Sequence, residues 1–387
     1  MRWPLVAVFL GAMAVRLAAD DPRTLEPGSP APDFDLPGID GKRHKLADYG
    51  TADVLAIIFT CNHCPSAQAA EGRIKQLVSD LAGRSFQLVA ISPNDPEAVR
   101  LNELGYAVHG DSLDDMKAHA AENGFNFPYL YDGETQKVSM AYGVQATPHV
   151  YVFDRERKLR YVGRFDDSRF DDPATVKSSD ARAAIEALLD GRPVPVEKTK
   201  PHGCSTKWAS KRGAVQEYEA EFRKAPVTVE SIDVDAVRAL LANPTRQLRL
   251  FNFWATWCGP CRAEMPALVR VARQFETRGF DLITVSLDDR AARNEVLRVL
   301  DEEDVALPRL TAKSVEKEGR TTNNYIFDGN RDALVDAVGN GWDGPVVPFN
   351  ILVAPGGKVL WSSKGEVDPT DLRRRIVGHL GRFYKPN

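Results

Sequence analysis

The feature that most constrains the fold is a strand pattern that ends in two cysteines and passes directly into a helical pattern. Residues 248–253 form the strand pattern, Cys258 and Cys261 follow with Gly-Pro between them, and the helical pattern begins at Arg262. The first turn of a helix has unpaired N–H groups and the positive end of the helix dipole, so it favours an anion. Cys258 is therefore expected to ionise near neutral pH and attack a disulfide, while Cys261 resolves the mixed disulfide. The spacing predicts a thiol–disulfide exchange site.

The same order of patterns occurs earlier in the chain. An apolar run at residues 54–59 precedes Cys61 and Cys64, and helical, strand and hairpin patterns follow in the order seen after Cys258. Cys258 lies 197 positions after Cys61, and a proline just before the hairpin of each half recurs 200 positions apart. Two landmarks with nearly the same offset indicate a duplicated fold. In the first copy, Cys61 would attack and Cys64 would resolve.

The length of the chain predicts more than one domain. Its 387 residues are more than a single domain with one hydrophobic core usually contains. We predict an α/β protein with domains at residues 27–190 and 226–387, each holding one copy of the repeated pattern. Residues 191–225 contain several prolines and lysines, which predicts a semi-extended linker with a short helix near residues 216–223.

Residues 1–19 have the pattern of an export signal. Arg2 is followed by a short apolar run at residues 5–15 and by small residues suited to cleavage at residues 17–19. No other stretch is apolar for long enough to cross a bilayer. The expected location is the periplasm or cell envelope, where disulfides persist. The net charge of −4 indicates neither a nucleic-acid partner nor a membrane-surface protein.

Segments around both cysteine pairs carry a family resemblance. In the first half they are Ala-Pro-Asp-Phe at 31–34, Phe-Thr-Cys-Asn-His-Cys-Pro at 59–65, Phe-Pro-Tyr-Leu-Tyr-Asp at 127–132 and Ala-Thr-Pro at 146–148. This half resembles peroxiredoxin-like redoxins of the alkyl-hydroperoxide-reductase/thiol-specific-antioxidant group. The second half, through Trp-Cys-Gly-Pro-Cys-Arg-Ala-Glu-Met-Pro at 257–266, resembles TlpA- and ResA-like exported oxidoreductases. The resemblance implies two tandem thioredoxin-like domains, each a central mixed sheet flanked by helices.

The same resemblance implies how substrates would bind. It makes Pro148 and Pro348 cis-prolines that face the cysteine pairs. With Thr147, Val347 and Trp257 they are expected to shape two substrate grooves, because the backbone beside each proline stays free to pair with a substrate strand. No organic cofactor and no metal are implied. The expected partners are protein dithiols or disulfides and a further redox protein.

The second half departs from thioredoxins at one buried position. Asn252 replaces the aspartate that helps to take the proton of the resolving thiol in that family. Glu264 lies three residues beyond Cys261 on the same helix face, so we expect it to accept that proton. The alternative is a solvated helix glutamate. Trp342 is expected either to line the second groove or to pack in the core.

His63, directly before Cys64, distinguishes the first cysteine pair from the second. A cationic imidazole near Cys61 would stabilise its thiolate and raise the reduction potential of the pair. The first site is therefore expected to be the more oxidising one. Electrons would then run from the Cys258 pair to the Cys61 pair.

Cys204 is the odd cysteine of the five, and it lies in the predicted linker. Similar Gly-Cys-Ser segments end the peroxiredoxin-like group that the first half resembles. On a flexible linker this thiol could relay a disulfide between the domains. The alternative is an incidental free cysteine.

A thiol peroxidase is the first alternative function. Cys61 would attack peroxide and Cys64 would resolve the product. Peroxiredoxins carry Pro-x-x-x-Thr/Ser-x-x-Cys, however, and here Ile58 stands three residues before Cys61, with Val54 in place of the proline. The motif therefore gives this alternative little support.

A non-enzymatic module that binds or delivers Cu(I) is the second alternative. Cys61, His63 and Cys64 are soft ligands suited to that ion, and His202 with Cys204 could add to them. The second cysteine pair has no histidine nearby, and a C-x-x-C pair at this position of the fold is more often redox-active. We therefore expect an oxidoreductase.

Overall fold

A computed structural model describes residues 22–344 and 346–385. The predicted export signal at residues 1–19 lies outside the described residues. Within the described ranges, no helix combines the length and the apolar character needed to cross a membrane.

The first half is built on a five-stranded mixed sheet. Its central strand, β3, is buried along its whole length because all six of its residues are apolar. The strand order is β5-β4-β3-β7-β8, with β3, β4 and β5 parallel and β7 and β8 antiparallel to their neighbours. The strands of this half are β1 (Asp35–Pro37), β2 (Arg43–Lys45), β3 (Val54–Phe59), β4 (Phe86–Ser92), β5 (Tyr129–Tyr131), β6 (Ala146–Thr147), β7 (His149–Phe153) and β8 (Leu159–Gly163).

Helices cover this sheet, and apolar residues fill both of its faces. The helix that follows β3 begins directly after Cys64, the second cysteine of the first pair. The predicted cap of the next helix is present: Ser112 accepts a hydrogen bond from the N–H of Asp115 and the Asp115 carboxylate reaches back. The helices are α1 (Pro65–Asp80), α2 (Leu113–Asn123), α3 (Lys137–Tyr142) and α4 (Asp180–Leu189).

The second half repeats this plan with one more strand. Its sheet has the order β10-β13-β12-β11-β14-β15, parallel from β10 to β11 and antiparallel from β11 to β15. The strands are β10 (Glu230–Ile232), β11 (Leu248–Trp254), β12 (Phe280–Ser286), β13 (Asn324–Phe327), β14 (Phe349–Val353) and β15 (Val359–Lys364). The helices are α6 (Val234–Ala242), α7 (Gly259–Phe275), α8 (Arg293–Glu302), α9 (Arg309–Lys317), α10 (Arg331–Val338) and α11 (Pro369–Leu380). The predicted tandem α/β architecture of two thioredoxin-like domains is confirmed.

The segment between the two sheets is not the semi-extended linker that its composition predicted. It contains β9 (Cys204–Ser205) and α5 (Arg212–Phe222), so only the short helix was predicted correctly. Residues 197–209 pack on the first domain, since β9 pairs with β6 and the N–H of Val162 donates to the carbonyl of Glu197. We therefore propose that the first domain extends to Lys211.

The two domains meet at the C-terminal end of α7 and along α11, where Arg373 donates to the carbonyl of Val108 and Arg374 pairs with Glu122. The side-chain amide of Gln274 donates to the carbonyls of Leu104 and Ala107, at 3.0 and 2.8 Å. The same loop contacts the first turns of α1, where Gln68 donates to the carbonyl of Tyr106. The contact made by Gln274 therefore lies near the start of α1 and at the opposite end of α7 from its cysteines.

Candidate redox sites

The second cysteine pair occupies the helix start that the sequence predicted. Cys258 is the N-cap of α7, and its Sγ accepts a hydrogen bond from the N–H of Cys261 at 3.2 Å. The two cysteines are joined in a disulfide. Cys261 is fully buried and Cys258 is 5% exposed. An attacking sulfur at the rim and a resolving sulfur beneath it suit exchange with an incoming partner.

The cis-proline and two exposed apolar side chains lie in the surroundings of Cys258. Its Sγ is 3.6 Å from the carbonyl oxygen of Val347, and the Val347–Pro348 peptide bond is cis, as predicted. Trp257 and Val346 are 65% and 60% exposed. Exposed apolar side chains around a reactive sulfur favour contact with another protein.

Trp342 belongs to the core, which was one of the two predicted alternatives. Its ring stacks on Phe349 with centroids 5.1 Å apart and lies beside Phe253. Its indole N–H donates to the carbonyl of Val346 at 2.9 Å. Trp342 therefore supports the loop before Pro348 from the inside and does not line the groove.

Glu264 is buried on α7, three residues after the resolving cysteine, and is not the solvated glutamate of the alternative. Its Oε1 accepts hydrogen bonds from the amides of Asn252 and Asn350, at 2.8 and 3.2 Å, and its Oε2 accepts one from the N–H of Val367 at 3.1 Å. Burial raises the pKa of Glu264, although these hydrogen bonds oppose the shift. A carboxyl group with a raised pKa suits proton exchange near neutral pH. Asn350 had not been predicted, because it lies on a different strand far along the chain.

Replacing Glu264 with glutamine is expected to slow resolution of a mixed disulfide by Cys261 about a hundredfold, since a positioned base contributes that order of rate. In the unmodified protein this step should accelerate as pH rises through the raised pKa of Glu264, because only the carboxylate accepts a proton. The variant should lack that inflection. Stopped-flow measurement across pH tests both points, with Glu366→Gln, an exposed neighbouring carboxylate, as the matched control. An unchanged pH profile in Glu264→Gln would assign Glu264 a structural role only.

The first cysteine pair lies in a closed site. Cys61 and Cys64 are both buried free thiols. The Sγ of Cys61 is 3.1 Å from the hydroxyl of Thr147, and the Sγ of Cys64 is 3.2 Å from the carbonyl oxygen of Thr147. The Thr147–Pro148 peptide bond is cis, as predicted. Thr147 and Pro148 thus face the sulfurs, but the sulfurs are shielded from solvent.

The expected correspondence between Cys61 and Cys258 is wrong. Phe59 in β3 pairs with the residue after the first cis-proline, as Phe253 in β11 pairs with the residue after the second. Cys64 lies five residues after Phe59, just as Cys258 lies five residues after Phe253. Ala67 then takes the place of the resolving Cys261.

Pro65 gives the physical reason for this shift. Proline is favoured in the first turn of a helix and drives the residue before it into an extended conformation. Helix α1 accordingly begins at Pro65, and Cys64 is its N-cap with φ −75° and ψ 118°. Cys64, and not Cys61, therefore receives the field of the helix start.

The charges around the pair favour the same assignment. Burial raises the pKa of Cys61, and the nearby carboxylate of Asp111 raises it further. Burial opposes ionisation of Cys64 too, but hydrogen bonds from the thiols of Cys204 and Cys61 and the charge of His63 hold its pKa well below the usual value. One contact disfavours ionisation of Cys64: its thiol donates a hydrogen bond to the carbonyl of Thr147, and a thiolate has no proton to donate. The hydrogen bonds that Cys64 accepts outnumber this contact, so the surroundings favour the negative charge on Cys64 rather than on Cys61 as expected.

His63 acts through a buried ion pair that the sequence did not reveal. Its Nδ1 is 2.5 Å from Oδ2 of Asp111. Burial lowers the pKa of His63, but Asp111 outweighs that effect and the pKa is raised. Asp111 also accepts hydrogen bonds from the N–H groups of Asn62 and His63 and from the amide of Asn94. The cation predicted at His63 is thus stabilised, and it acts on Cys64.

One group of three potential metal ligands occurs among the described residues: Cys61, His63 and Asp111. Cys64, which the copper alternative required, is not part of it. Each oxygen of Asp111 already accepts two hydrogen bonds, and a carboxylate is a hard ligand. The donor set does not suit Cu(I).

Comparison with known proteins gives the family. A family model described as AhpC/TSA matches residues 27–162 and 223–317, together more than half of the chain. The chain belongs to the AhpC/TSA family. One matched segment falls in each domain of this AhpC/TSA protein: the first covers the strands from β1 to β7 and most of β8, and the second covers β10, β11 and β12.

Individual relatives cover parts of the chain. The thiol-disulfide oxidoreductase ResA of Oceanobacillus iheyensis is 35% identical over 20% of this chain and 40% of its own length. The thioredoxin-like protein YneN of Bacillus subtilis is 36% identical over 23% of this chain and 51% of its own. The chain thus spans about half or less of these curated relatives. A crystal structure of an uncharacterized conserved protein from Geobacillus kaustophilus is 39% identical, covers 48% of this chain and 94% of its own, and has a TM-score of 0.43.

Membership in the AhpC/TSA family and the ResA relatives support a redox function. The peroxidase motif of this family is not met from either cysteine of the first pair. Measured from Cys64, the Thr/Ser position holds Cys61 and the proline position holds Ile57.

Proposed function

We propose that this protein is a thiol–disulfide oxidoreductase and that Cys258 and Cys261 exchange disulfides with protein partners. The observation that carries the proposal is the position of Cys258: it caps α7, lies beside the Val347–Pro348 bond, and adjoins the exposed Trp257. The helix start stabilises the thiolate, and the exposed apolar side chains favour a polypeptide partner. Cys258 attacks, Cys261 resolves, and Glu264 accepts the proton of Cys261.

The first site has a different role in this proposal. Its cysteines lie under the strand that contains Cys204, so it does not exchange directly with a folded protein partner. Helix α7 has 17 residues and is about 25 Å long, with Cys258 at its start and the Gln274 contact with the first domain at its end. We therefore propose no direct transfer of electrons from the Cys258 pair to the Cys61 pair. That the first site has a higher reduction potential than the second remains a prediction.

We also propose that the protein acts outside the cytoplasm. The signal pattern at residues 1–19 and the resemblance to exported oxidoreductases support this location. Protein recovered from the cell envelope with its mature N-terminus after residue 19 is the expected result. Recovery of the intact chain from the cytoplasm would contradict it.

Trapping a mixed disulfide tests the proposed exchange. The reduced Cys261→Ala variant, incubated with insulin, should accumulate a covalent adduct at Cys258, because no neighbouring thiol can resolve it. Mass spectrometry of the digested adduct locates the bond. The unmodified protein should turn the insulin over without accumulating the adduct.

The matched control is Cys258→Ala, in which the buried Cys261 remains. It should form no insulin adduct. Adducts of equal yield in both variants, or adducts at Cys61 or Cys64 only, would refute the assignment of Cys258 as the attacking thiol.

A further inference from the structure

The groove of the first site is occupied by a strand of the protein itself. In β9, Cys204 pairs antiparallel with Thr147, the residue before cis-Pro148. The N–H of Cys204 lies 3.3 Å from the Sγ of Cys64, and its side chain packs against Cys61, Cys64 and Ala67. Cys204 thus holds the position, beside the proline and over the capping sulfur, that was expected for a substrate strand.

Gly203 permits this close approach. Its φ is +145°, in the region that favours glycine, and a Cβ atom added there would lie 1.9 Å from the carbonyl oxygen of Thr147. Any other residue would push the strand away from the groove. The seating of Cys204 over Cys64 therefore depends on a specific backbone geometry.

The strand is anchored on its N-terminal side. The N–H of Thr199 donates to the carbonyl of Val162 in β8, at 3.0 Å. The Thr199 hydroxyl is 2.7 Å from the hydroxyl of Tyr161 and accepts a hydrogen bond from the N–H of Arg164.

It is anchored on its C-terminal side as well. The N–H of Lys207 donates to Oδ1 of Asn94 at 2.9 Å, the N–H of Asp95 donates to the carbonyl of Lys207, and Trp208 is buried. With both flanks held, Cys204 stays at Cys64 and lacks the mobility that the predicted interdomain relay requires.

We propose that Cys204 is a third redox thiol of the first site and forms a disulfide with Cys64. Two observations carry this assignment: the strand presents Cys204 to Cys64, and helix α1 has Ala67 where the second domain has its resolving cysteine. The assignment deepens the proposed function, because it rests on the same exchange chemistry. It makes β9 an internal substrate that keeps the first site closed to other proteins.

The chemistry balances with a low-molecular-weight disulfide as oxidant. The Cys64 thiolate attacks the disulfide, forms a mixed disulfide and releases one small thiolate. Cys204, after losing its proton, attacks Cys64 and releases the second small thiol, so two protein thiols are oxidised and one disulfide is reduced. Cys61 can then attack Cys64 to form the Cys61–Cys64 disulfide and release Cys204 as a thiolate, with no further oxidant.

Disulfide mapping of the full chain tests the assignment. The Cys61→Ala variant is reduced, oxidised with glutathione disulfide, blocked with an alkylating reagent and digested. The expected main product at the first site is a peptide pair bridged through Cys64 and Cys204. The Cys204→Ala variant should instead carry glutathione on Cys64 or a Cys61–Cys64 bond. The control Ser205→Ala, made in the Cys61→Ala background, should retain the Cys64–Cys204 bridge.

The opposite result is equally clear. If Cys61→Ala leaves Cys204 alkylated and Cys64 free or glutathionylated, Cys204 is not a redox partner of Cys64. The Cys258–Cys261 disulfide in the same digest reports separately on the proposed function, so the failure of one is distinguishable from the failure of the other. Gly203→Ala, also made in the Cys61→Ala background, provides a second variant with both Cys64 and Cys204 present, and it should lose the bridge because the strand is displaced.

Discussion

Replacing Cys258 with alanine is expected to lower the rate of insulin reduction by at least about a thousandfold, because removal of an enzyme's nucleophile typically costs that much or more. The thiolate at the start of α7 is the only species in the second domain with both the charge and the access to attack a disulfide. Cys261 is fully buried and cannot substitute for it. The turbidity that follows reduction of insulin by dithiothreitol measures the rate.

The matched control for this experiment is Cys64→Ala. Cys64 caps the corresponding helix of the first domain, but the strand containing Cys204 covers it. Its replacement should change the insulin rate by no more than about twofold, in the range of a residue outside the reacting site. If the two variants lost activity equally, the proposed difference between an accessible site at Cys258 and a covered site at Cys64 would be wrong.

Replacing Asp111 with alanine is expected to lower the free energy of unfolding by about 3–5 kcal/mol, the usual cost of breaking a buried ion pair by removing one partner. The change leaves His63 without its counter-charge and Asn94 and two backbone N–H groups without their acceptor. Urea denaturation measures the effect. Asp114→Ala, an exposed acid on α2, is the control and should cause a far smaller change.

The pH dependence of this stability follows from the two pKa shifts. Burial disfavours both charges, yet the pair lowers the pKa of Asp111 and raises that of His63. Its contribution is therefore largest between about pH 4 and pH 6.5, where an unfolded chain also carries both charges. It is lost as pH falls through the lowered pKa of Asp111, and as pH rises through the raised pKa of His63.

The milder variant Asp111→Asn separates stability from chemistry. It should lack the pH window just described and, with His63 neutral, should show less ultraviolet absorbance of the Cys64 thiolate at neutral pH. A variant that kept both properties would show that the ion pair does not act on Cys64.

Local patterns in the sequence determined the elements and the plan of this protein. The apolar run of β3, the capping pair of α2 and the strand–cysteine–helix order of each half act over a few residues, so they can be recognised without tertiary structure. Pro65 was a local signal too. Its effect on the start of α1 would have identified Cys64 as the capping cysteine, but the equal spacing of the two cysteine pairs suggested otherwise.

Tertiary structure alone decided the environment of each sulfur. Asp111 reaches His63 from 48 residues away, Asn350 meets Glu264 across 86 residues, and Cys204 meets Cys64 across 140. Such contacts depend on which loops and strands the fold brings together, and no periodicity or composition encodes them. The composition of the segment before the second domain predicted an extended linker. That prediction failed because the hydrogen bonds that hold β9 on the first domain come from partners distant in sequence.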